Sequence, residues 1–305
     1  MSTLKGQNLR IFMGTTANNI KPIALATNCT INITANTQES KTKDDTSLSS
    51  KPDPVSYSWT VRTDSLNVED IGTLLAAIKN QTLFKVAWDE VGADQKTAQE
   101  ATFSYEGQAF INDLNFTFND RENSQKTIQL TGNGALTKTT STLSSSLDQL
   151  HPTKGQDVRL FLGTGIALES GEWLPIAAAK SLTLHISCAL EEGSTKDTDT
   201  RWLLYEITGI TFDISTSALV RSGETITSQV IAATLSDIED NIVEGVDQEI
   251  EFKICNVSGA NNRSAGATIM SGWCVISTLS INAQVGSNST YDAQLQGYGD
   301  FTVGA

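Results

Sequence analysis

The sequence predicts an all-β protein: two tandem β-sandwich or barrel domains, each carrying one short helix. Three observations carry that prediction. Most apolar segments alternate with polar residues at period two, the pattern of strands that bury one face and leave the other wet. A series of short motifs occurs twice in the same order. Each series closes on a Gly-x-Gly pair, in "IQLTGNGAL" (128–136) and "AQLQGYGDF" (293–301).

The 305 residues are enough for two cores. "KGQNLRIFMGT" (5–15) returns as "KGQDVRLFLGT" (154–164), a shift of 149. "PIALATNCTINIT" (22–34) returns as "PIAAAKSLTLHIS" (175–187) at 153, which also sets Thr42-Lys43-Asp44 on Thr195-Lys196-Asp197 and Trp59 on Phe212. "LFKVA" (83–87) matches "EFKIC" (251–255) at 168, and Gly107, Ile111, Leu114, Gly132 and Gly134 match Gly272, Ile276, Leu279, Gly297 and Gly299 at 165. The shift changes only between elements, where insertions are tolerated. A period this long is that of a duplicated domain rather than a solenoid. The expected domains are 1–136 and 153–305. The Ser/Thr-rich stretch 137–152, closed by Pro152, is the linker. Its "STLSSSLDQL" part is compatible with a short helix or with none.

Strands are expected where Cys29, Ile31 and Ile33 alternate with Thr30, Asn32 and Thr34, and again at Leu182, Leu184 and Ile186. Tyr57-Trp59-Val61, Leu114-Phe116-Phe118 and Leu279-Ile281 follow the same pattern. One helix is expected over 67–81, with Asn67 as its cap, Glu69 and Asp70 in its first turn, and Ile71, Leu74, Leu75 and Ile78 on one face. The matching region 222–241 is more β-branched and a weaker helix. The Gly-x-Gly pairs follow a strand and do not open a helix, so they read as sites of positive φ or close backbone approach rather than phosphate loops.

No catalytic or metal constellation emerges, and no enzymatic activity or cofactor is expected. His151 sits in the linker and His185 on the polar face of a strand, where the first copy has Asn32; both read as surface histidines. Cys29, Cys188, Cys255 and Cys274 lack zinc spacing. Their counterparts Leu182, Ala35, Ala87 and Ala109 mark them as free, buried core residues, suited to a reducing cytoplasm. "SDIEDN" (236–241) lacks the ligand spacing and central glycine of a calcium loop. Glu191-Glu192 reads as a solvated turn.

Charged residues make up 18% of the chain, with a net charge of −14. It is uneven: residues 1–150 hold 13 Lys/Arg against 16 Asp/Glu, and residues 151–305 hold 8 against 19. That balance disfavours a nucleic-acid clamp, which gains affinity by neutralising phosphates. No apolar run approaches the ~18 residues of a membrane span. "MSTLKGQNLR" has no apolar secretory region, so no signal is expected.

Taken in order, these motifs run from "KGQ-x-x-R-x-F-x-G-T" through a "TKD" loop and a helix to "FSYEGQAFINDLNFTF" (103–118) and "QLTGNGAL". The series resembles the major tail tube proteins of long-tailed bacteriophages, over nearly all of copy 1 and the two ends of copy 2. The resemblance implies tail-tube-like β-sandwich or barrel domains. It also implies rings of six-fold symmetry stacked into a hollow tube that conducts double-stranded DNA. Tape-measure, tail-tip and terminator proteins would be partners, in a virion tail assembled in the host cytoplasm. With two domains per chain, three chains would make a pseudo-hexameric ring; six chains holding twelve domains is the alternative.

The resemblance further implies that the long polar loop 36–58 and its counterpart 189–204 stack against the neighbouring ring. Lys41, Lys43, Asp44, Asp45, Lys196, Asp197 and Asp199 are the candidate contacts. Asp113, Asn115 and Ser280 are candidates to face the lumen, where negative charge would repel the duplex backbone. Other readings stay open: a terminator, tip or DNA-free injection component of the same fold, or a two-domain β-sandwich adhesin or carbohydrate-binding module.

Overall fold

A computed structural model of the chain describes residues 6, 9–15, 20–23, 25–40, 43–44, 51–67, 71–90, 105–138, 152–163, 173–195, 200–220, 225–226, 229–230, 249–258 and 264–304. The alternating segments of the first half become β1 (Leu9–Gly14), β2 (Lys21–Pro22), β3 (Ala26–Ser40) and β4 (Lys51–Leu66). Then come α1 (Ile71–Lys79), β5 (Phe84–Glu90), β6 (Tyr105–Asn119), β7 (Gln125–Gly132) and the two-residue β8 (Thr137–Lys138). The second half forms β9 (Val158–Leu162), β10 (Leu174–Pro175), β11 (Ala179–Glu192), β12 (Tyr205–Leu219), β13 (Thr225–Ile226) and β14 (Gln229–Val230). It ends with β15 (Ile250–Ser258), β16 (Ser264–Asn282) and β17 (Thr290–Val303).

The strand order β2-β1-β5-β6-β7-β4-β3 is traced a second time as β10-β9-β15-β16-β17-β12-β11, every pairing antiparallel. In each half the path curls until its early strand touches its far edge, β1 against β3 and β9 against β11. This is the all-β, barrel-like arrangement that the alternation predicts. The turn into the far strand is the same in both halves. Leu25 and Ala178, neither of them glycine, hold φ of +50° and +49°. Their carbonyls accept from the Leu66 and Leu219 N–H groups at 3.2 Å. Positive φ is uncommon outside glycine, so its recurrence at matching positions marks a turn that the surrounding ladder enforces.

The Gly-x-Gly pairs divide two jobs. Trp59 of β4 is buried over the backbone of β6 and β7, and a Cβ on Gly107 would meet its ring at 2.5 Å. A Cβ on Gly132 would clash harder still. Phe212 takes the place of Trp59 in the second half and presses on Gly297 in the same way. The second glycine of each pair supplies the turn: Gly134 and Gly299 have φ of +87° and +66°. The Trp59 indole N–H donates to the Gly134 carbonyl at 3.0 Å, which gives a buried polar group its partner.

Four expectations change. The ladder sets Val86 opposite Gly107 and Phe252 opposite Gly272, so the counterpart of Val86 is Phe252 and not Ile254. The match between 83–87 and 251–255 is therefore slipped by two residues, and Cys255 stands in the place of Asp89, not Ala87. A two-residue slip keeps every side chain on its face, so hydrophobic alternation cannot detect it. The loop 36–58 is largely a β-arm, with β3 and β4 paired out to Ser40 and Lys51; residues 189–192 of its counterpart likewise belong to β11. Glu191 and Glu192 are exposed strand residues paired with Glu206 and Tyr205, not a turn. Finally, Asn67 does not act as a helix cap; α1 is described from Ile71, and Glu69 and Asp70 lie outside the described residues. The buried side-chain amide of Asn67 has no hydrogen-bond partner, while its backbone joins Ser124 (2.7 Å) and Thr153 (2.9 Å).

Of the linker, Thr137–Lys138 pair with β6, and just after it Lys154 bridges Asn123. His151 lies outside the described residues, as does most of 222–241; α1 is the one α-helix among the described residues.

One apolar core runs through both halves. It includes Trp59, Leu114 and Phe116 in the first and Leu184, Ile214 and Phe252 in the second. The helix α1 ties them further: the Lys79 ammonium donates to the Phe301 carbonyl at 2.6 Å and lies 5.7 Å from that ring. Replacing Gly132 by alanine should cost roughly 1–3 kcal/mol of stability through overpacking against Trp59. The loss would be read as a lower urea midpoint at unchanged slope; a midpoint equal to the parent's would mean the indole has room to move.

Candidate assembly surface and polar sheet face

The two halves meet edge to edge. Ser181–Ser187 of β11 pair antiparallel with Asp113–Asn119 of β6, at a stretch that β5 leaves open because it covers only Tyr105–Ala109. Eight strands thereby run in one sheet, in the order β3-β4-β7-β6-β11-β12-β17-β16. The seam buries Leu114, Phe116, Phe118, Leu182, Leu184 and Ile186, each under 5% exposed. The tips are joined as well. Gly134 N–H donates to Leu203 O at 2.9 Å, Tyr205 N–H to the Asn133 side-chain oxygen at 2.6 Å, and the Tyr57 and Trp202 rings pack at 5.4 Å, tilted by 41°.

The opposite face of the sheet is mostly polar, apart from an apolar end where Phe110 pairs with Thr131, Val275 with Gln296 and Trp273 with Tyr298. Successive registers carry Asn28, Asp64, Thr127, Asn115, His185, Asp213 and Gln296 from strand to strand, and a parallel row carries Thr30, Arg62, Gln129, Asp113, Ser187 and Thr211. Of the lumen candidates, Asp113, Asn115 and Ser280 all lie on this face. Asp113 and Asn115 are at the seam, and Ser280 is near the far edge, paired with Asp292. Hydroxyls and amides dominate, and they satisfy one another and the charges. Thr127 Oγ1 donates to Asp64 at 2.8 Å, Asn282 Nδ2 to Asp292 at 3.2 Å, and the Ser187 and Thr211 hydroxyls are 2.8 Å apart.

The charges follow no two-fold repeat. Arg62, Asp64 and Asp113 of the first half correspond to Ser215, Ser217 and Thr278 of the second. His185, Asp213 and Asp292 correspond to Asn32, Thr60 and Thr127. Each charged position is neutral in its counterpart.

His185 was expected to be a plain surface residue, and it is a bridge. Its Nε2 lies 2.9 Å from Asp113 Oδ2, across the seam, and its Nδ1 lies 3.0 Å from Asp213 Oδ1. Carboxylates accept only, so a ring that satisfies both must carry both protons. Partial burial pulls the imidazole pKa down. The hydrogen bonds to Asp113 and Asp213, with the charges of both, outweigh that and leave it raised above 6.5. Alternation placed His185 on the polar face, but its partners come from two other strands, and no local spacing could name them.

All four cysteines are free thiols; Cys255 and Cys274 are buried, while Cys29 and Cys188 are only half-buried. Burial pushes Cys274 up to about 12, and burial with the nearby Asp113 charge pushes Cys188 up to about 11. Among the stacking candidates, Lys43 and Asp44 form an exposed turn at the end of the β3–β4 arm. Lys41, Asp45, Lys196, Asp197 and Asp199 lie outside the described residues.

Besides the outer edges of the two-residue β2 and β10, two long sheet edges stay unpaired among the described residues: the outer edge of β3, and β16 beyond Cys274, where β15 ends its pairing. Ile33 and Ile281 stand on those edges, each 49% exposed. They are the counterparts of Ile186 and Phe116, which the internal seam covers completely.

Residues 5–138 match the family model described as "Phage tail tube protein". A search of curated protein sequences gave no match. Among solved structures, the virion of a native gene transfer agent particle is similar at 13% identity and a TM-score of 0.37, over 50% of this chain and 99% of that one. The tail of an empty gene transfer agent particle, refined helically with C6 symmetry, is similar at 15% and 0.37, with the same coverage. The SPP1 tail tube is similar at 17% and 0.38, over 50% of this chain and 78% of that one.

The His185 bridge sets a pH dependence. Because its folded pKa is raised, its stabilisation is fully present below about pH 6.5 and fades as the pH climbs through the folded value. The stability gap between the parent and a His185→Gln variant should therefore shrink from about pH 6 to about pH 8. Urea unfolding at both pH values checks it; an identical gap at both would mean the ring is not charged.

Proposed function

We propose, from the match of residues 5–138 to the phage tail tube protein family model, that the chain is a structural tail tube component and that three chains form each ring. Each chain contributes two tube domains, 1–136 and 153–305, joined by 137–152. The rings stack into the hollow tube of a virion tail, assembled in the host cytoplasm. The observation that supports this reading is the internal seam: β11 completes the open edge of β6, so the two halves share one sheet as neighbouring ring positions would. The edge remaining at either end, β3 and β16, is of a different kind from the other. Such a head-to-tail interface closes into a ring when its rotation permits.

In that ring the polar sheet face lines the channel, with Asp113, Asn115 and Ser280 on its wall. A wall of hydroxyls, amides and scattered carboxylates offers double-stranded DNA little to neutralise its phosphates, so the duplex passes without sticking. The net charge of −14 works in the same direction. The β3–β4 arm, with Lys41, Lys43, Asp44 and Asp45, reaches toward the neighbouring ring, and Lys196, Asp197 and Asp199 do the same from the second domain. Tape-measure, tail-tip and terminator proteins set the length and ends. The role is architectural, without catalysis or cofactor.

Electron microscopy of the purified protein, with mass per ring, tests the stoichiometry. Six lobes with the mass of three chains is the expected result; twelve lobes, or two-lobed monomers at every concentration, would overturn it. In a phage carrying Asp292→Lys, tubes should assemble while DNA ejection slows several-fold. Ejection at the parental rate would remove the wall charge from the mechanism.

A further inference from the structure

We infer that the unpaired edge of β3 in one chain docks on the unpaired edge of β16 in a second copy of this chain, in the register that the internal seam dictates. The inference rests on the three-chain ring and names the residues that close it. Within the chain, Ser187 faces Asp113, Ile186 faces Leu114, His185 faces Asn115, Leu184 faces Phe116 and Thr183 faces Thr117. The β3 positions equivalent to β11 lie 153 residues earlier, and the β16 positions equivalent to β6 lie 165 later; the ladders of both halves agree on these offsets. The closing register is then Thr34 opposite Thr278, Ile33 opposite Leu279, Asn32 opposite Ser280, Ile31 opposite Ile281 and Thr30 opposite Asn282.

Three observations support this occupant. Both edges present unused backbone donors and acceptors, which a second strand satisfies by sheet extension. The side chains on the core side of each edge are apolar: Ile31 and Ile33 on one, Leu279 and Ile281 on the other. Ile33 and Ile281 are 49% exposed in the single chain, whereas their counterparts at the internal seam are 0% exposed. The polar sides also match, threonine and asparagine against threonine, serine and asparagine. Trp273 and Tyr298, 38% and 36% exposed, pair with each other on the polar face, just before the open stretch of β16 begins. They stand where the first half has Gln108 and Asn133, the corner on which Leu203 and Tyr205 of the second half dock.

The two kinds of seam would differ in chemistry. Asn32, Thr60 and Thr278 occupy the places of His185, Asp213 and Asp113, so the seam between chains carries no charged bridge. Assembly should then be indifferent to pH over the range in which the fold of the single chain responds to it.

Paired cysteines test the register on the full chain. Asn32→Cys with Ser280→Cys, and Ile31→Cys with Ile281→Cys, place thiols directly opposite each other on the two faces of the sheet. One of these pairs is the closely spaced kind that admits a disulfide. After mild oxidation, the expected result is a covalent ladder that stops at three chains, with the linked peptides identified by mass spectrometry because Cys29 shares β3. The slipped pair Asn32→Cys with Asn282→Cys should stay unlinked. Linking of the slipped pair, or rings seen by microscopy with neither matched pair linked, would overturn the register while leaving the ring in place. Absence of both rings and links would overturn the ring as well. As a second variant, Ile281→Asp should keep the circular dichroism of the parent and lose assembly at least ten-fold in concentration; parental assembly would count against the seam.

Discussion

The pairing of β11 along the open half of β6 is the constraint from which the rest of the molecule follows. A strand edge is a row of backbone groups that must be satisfied or left to water. Here β6 spends its first residues on β5 and its later ones on β11. The two curled sheets therefore become one, with one core and one polar face. Side chains reinforce this at each level: Phe116 and Leu184 below the sheet, His185 and Asp113 above it, Tyr57 and Trp202 at the tips. Gly155 lies so close to the Asn119 backbone that a side chain there would have no space. The chain passing from one half to the other is thus held against the seam it helps to make.

Within each half, one large aromatic ring on one strand sets the distance to its neighbours. Trp59 and Phe212 differ in size and shape, yet both rest on glycine. The indole N–H adds a hydrogen bond that phenylalanine cannot make, and the second half fills its centre with two further rings, Phe252 and Phe301, within 6 Å of Phe212. The same strand order is stabilised by different packing. This is the latitude expected of cores that keep total volume and pattern.

Much of this was legible in the sequence because strands announce themselves through alternation and glycines through their refusal of a side chain. The faces of Leu114, Ile186 and Ile214 could be read directly, as could the two roles of Gly132 and Gly134. Three features could not. The two-residue slip between 83–87 and 251–255 preserves every face. Residues 36–53 of the arm are nearly all polar, so nothing in their pattern separates a solvated strand from a loop. The Asp113–His185–Asp213 bridge draws its members from three strands far apart in sequence, and only the register of the seam brings them together. Local chemistry was visible, and pairing between distant strands was not.

The neutral counterparts of the polar-face charges have a consequence for what a passing duplex would feel. Six equivalent domains would set six equal lobes of potential around the channel wall. Such a fine angular pattern dies away quickly toward the axis, because neighbouring lobes cancel. In the proposed ring of three chains the charges would fall at different places in each half, Arg62, Asp64 and Asp113 in one and His185, Asp213 and Asp292 in the other, so the pattern would repeat three times around the wall instead of six. A coarser angular modulation persists further from the wall. Duplication would then let a tube keep the mechanical regularity of a six-membered ring while its electrostatic corrugation reaches deeper into the bore. Neither half could produce that effect if its polar face were identical to the other's.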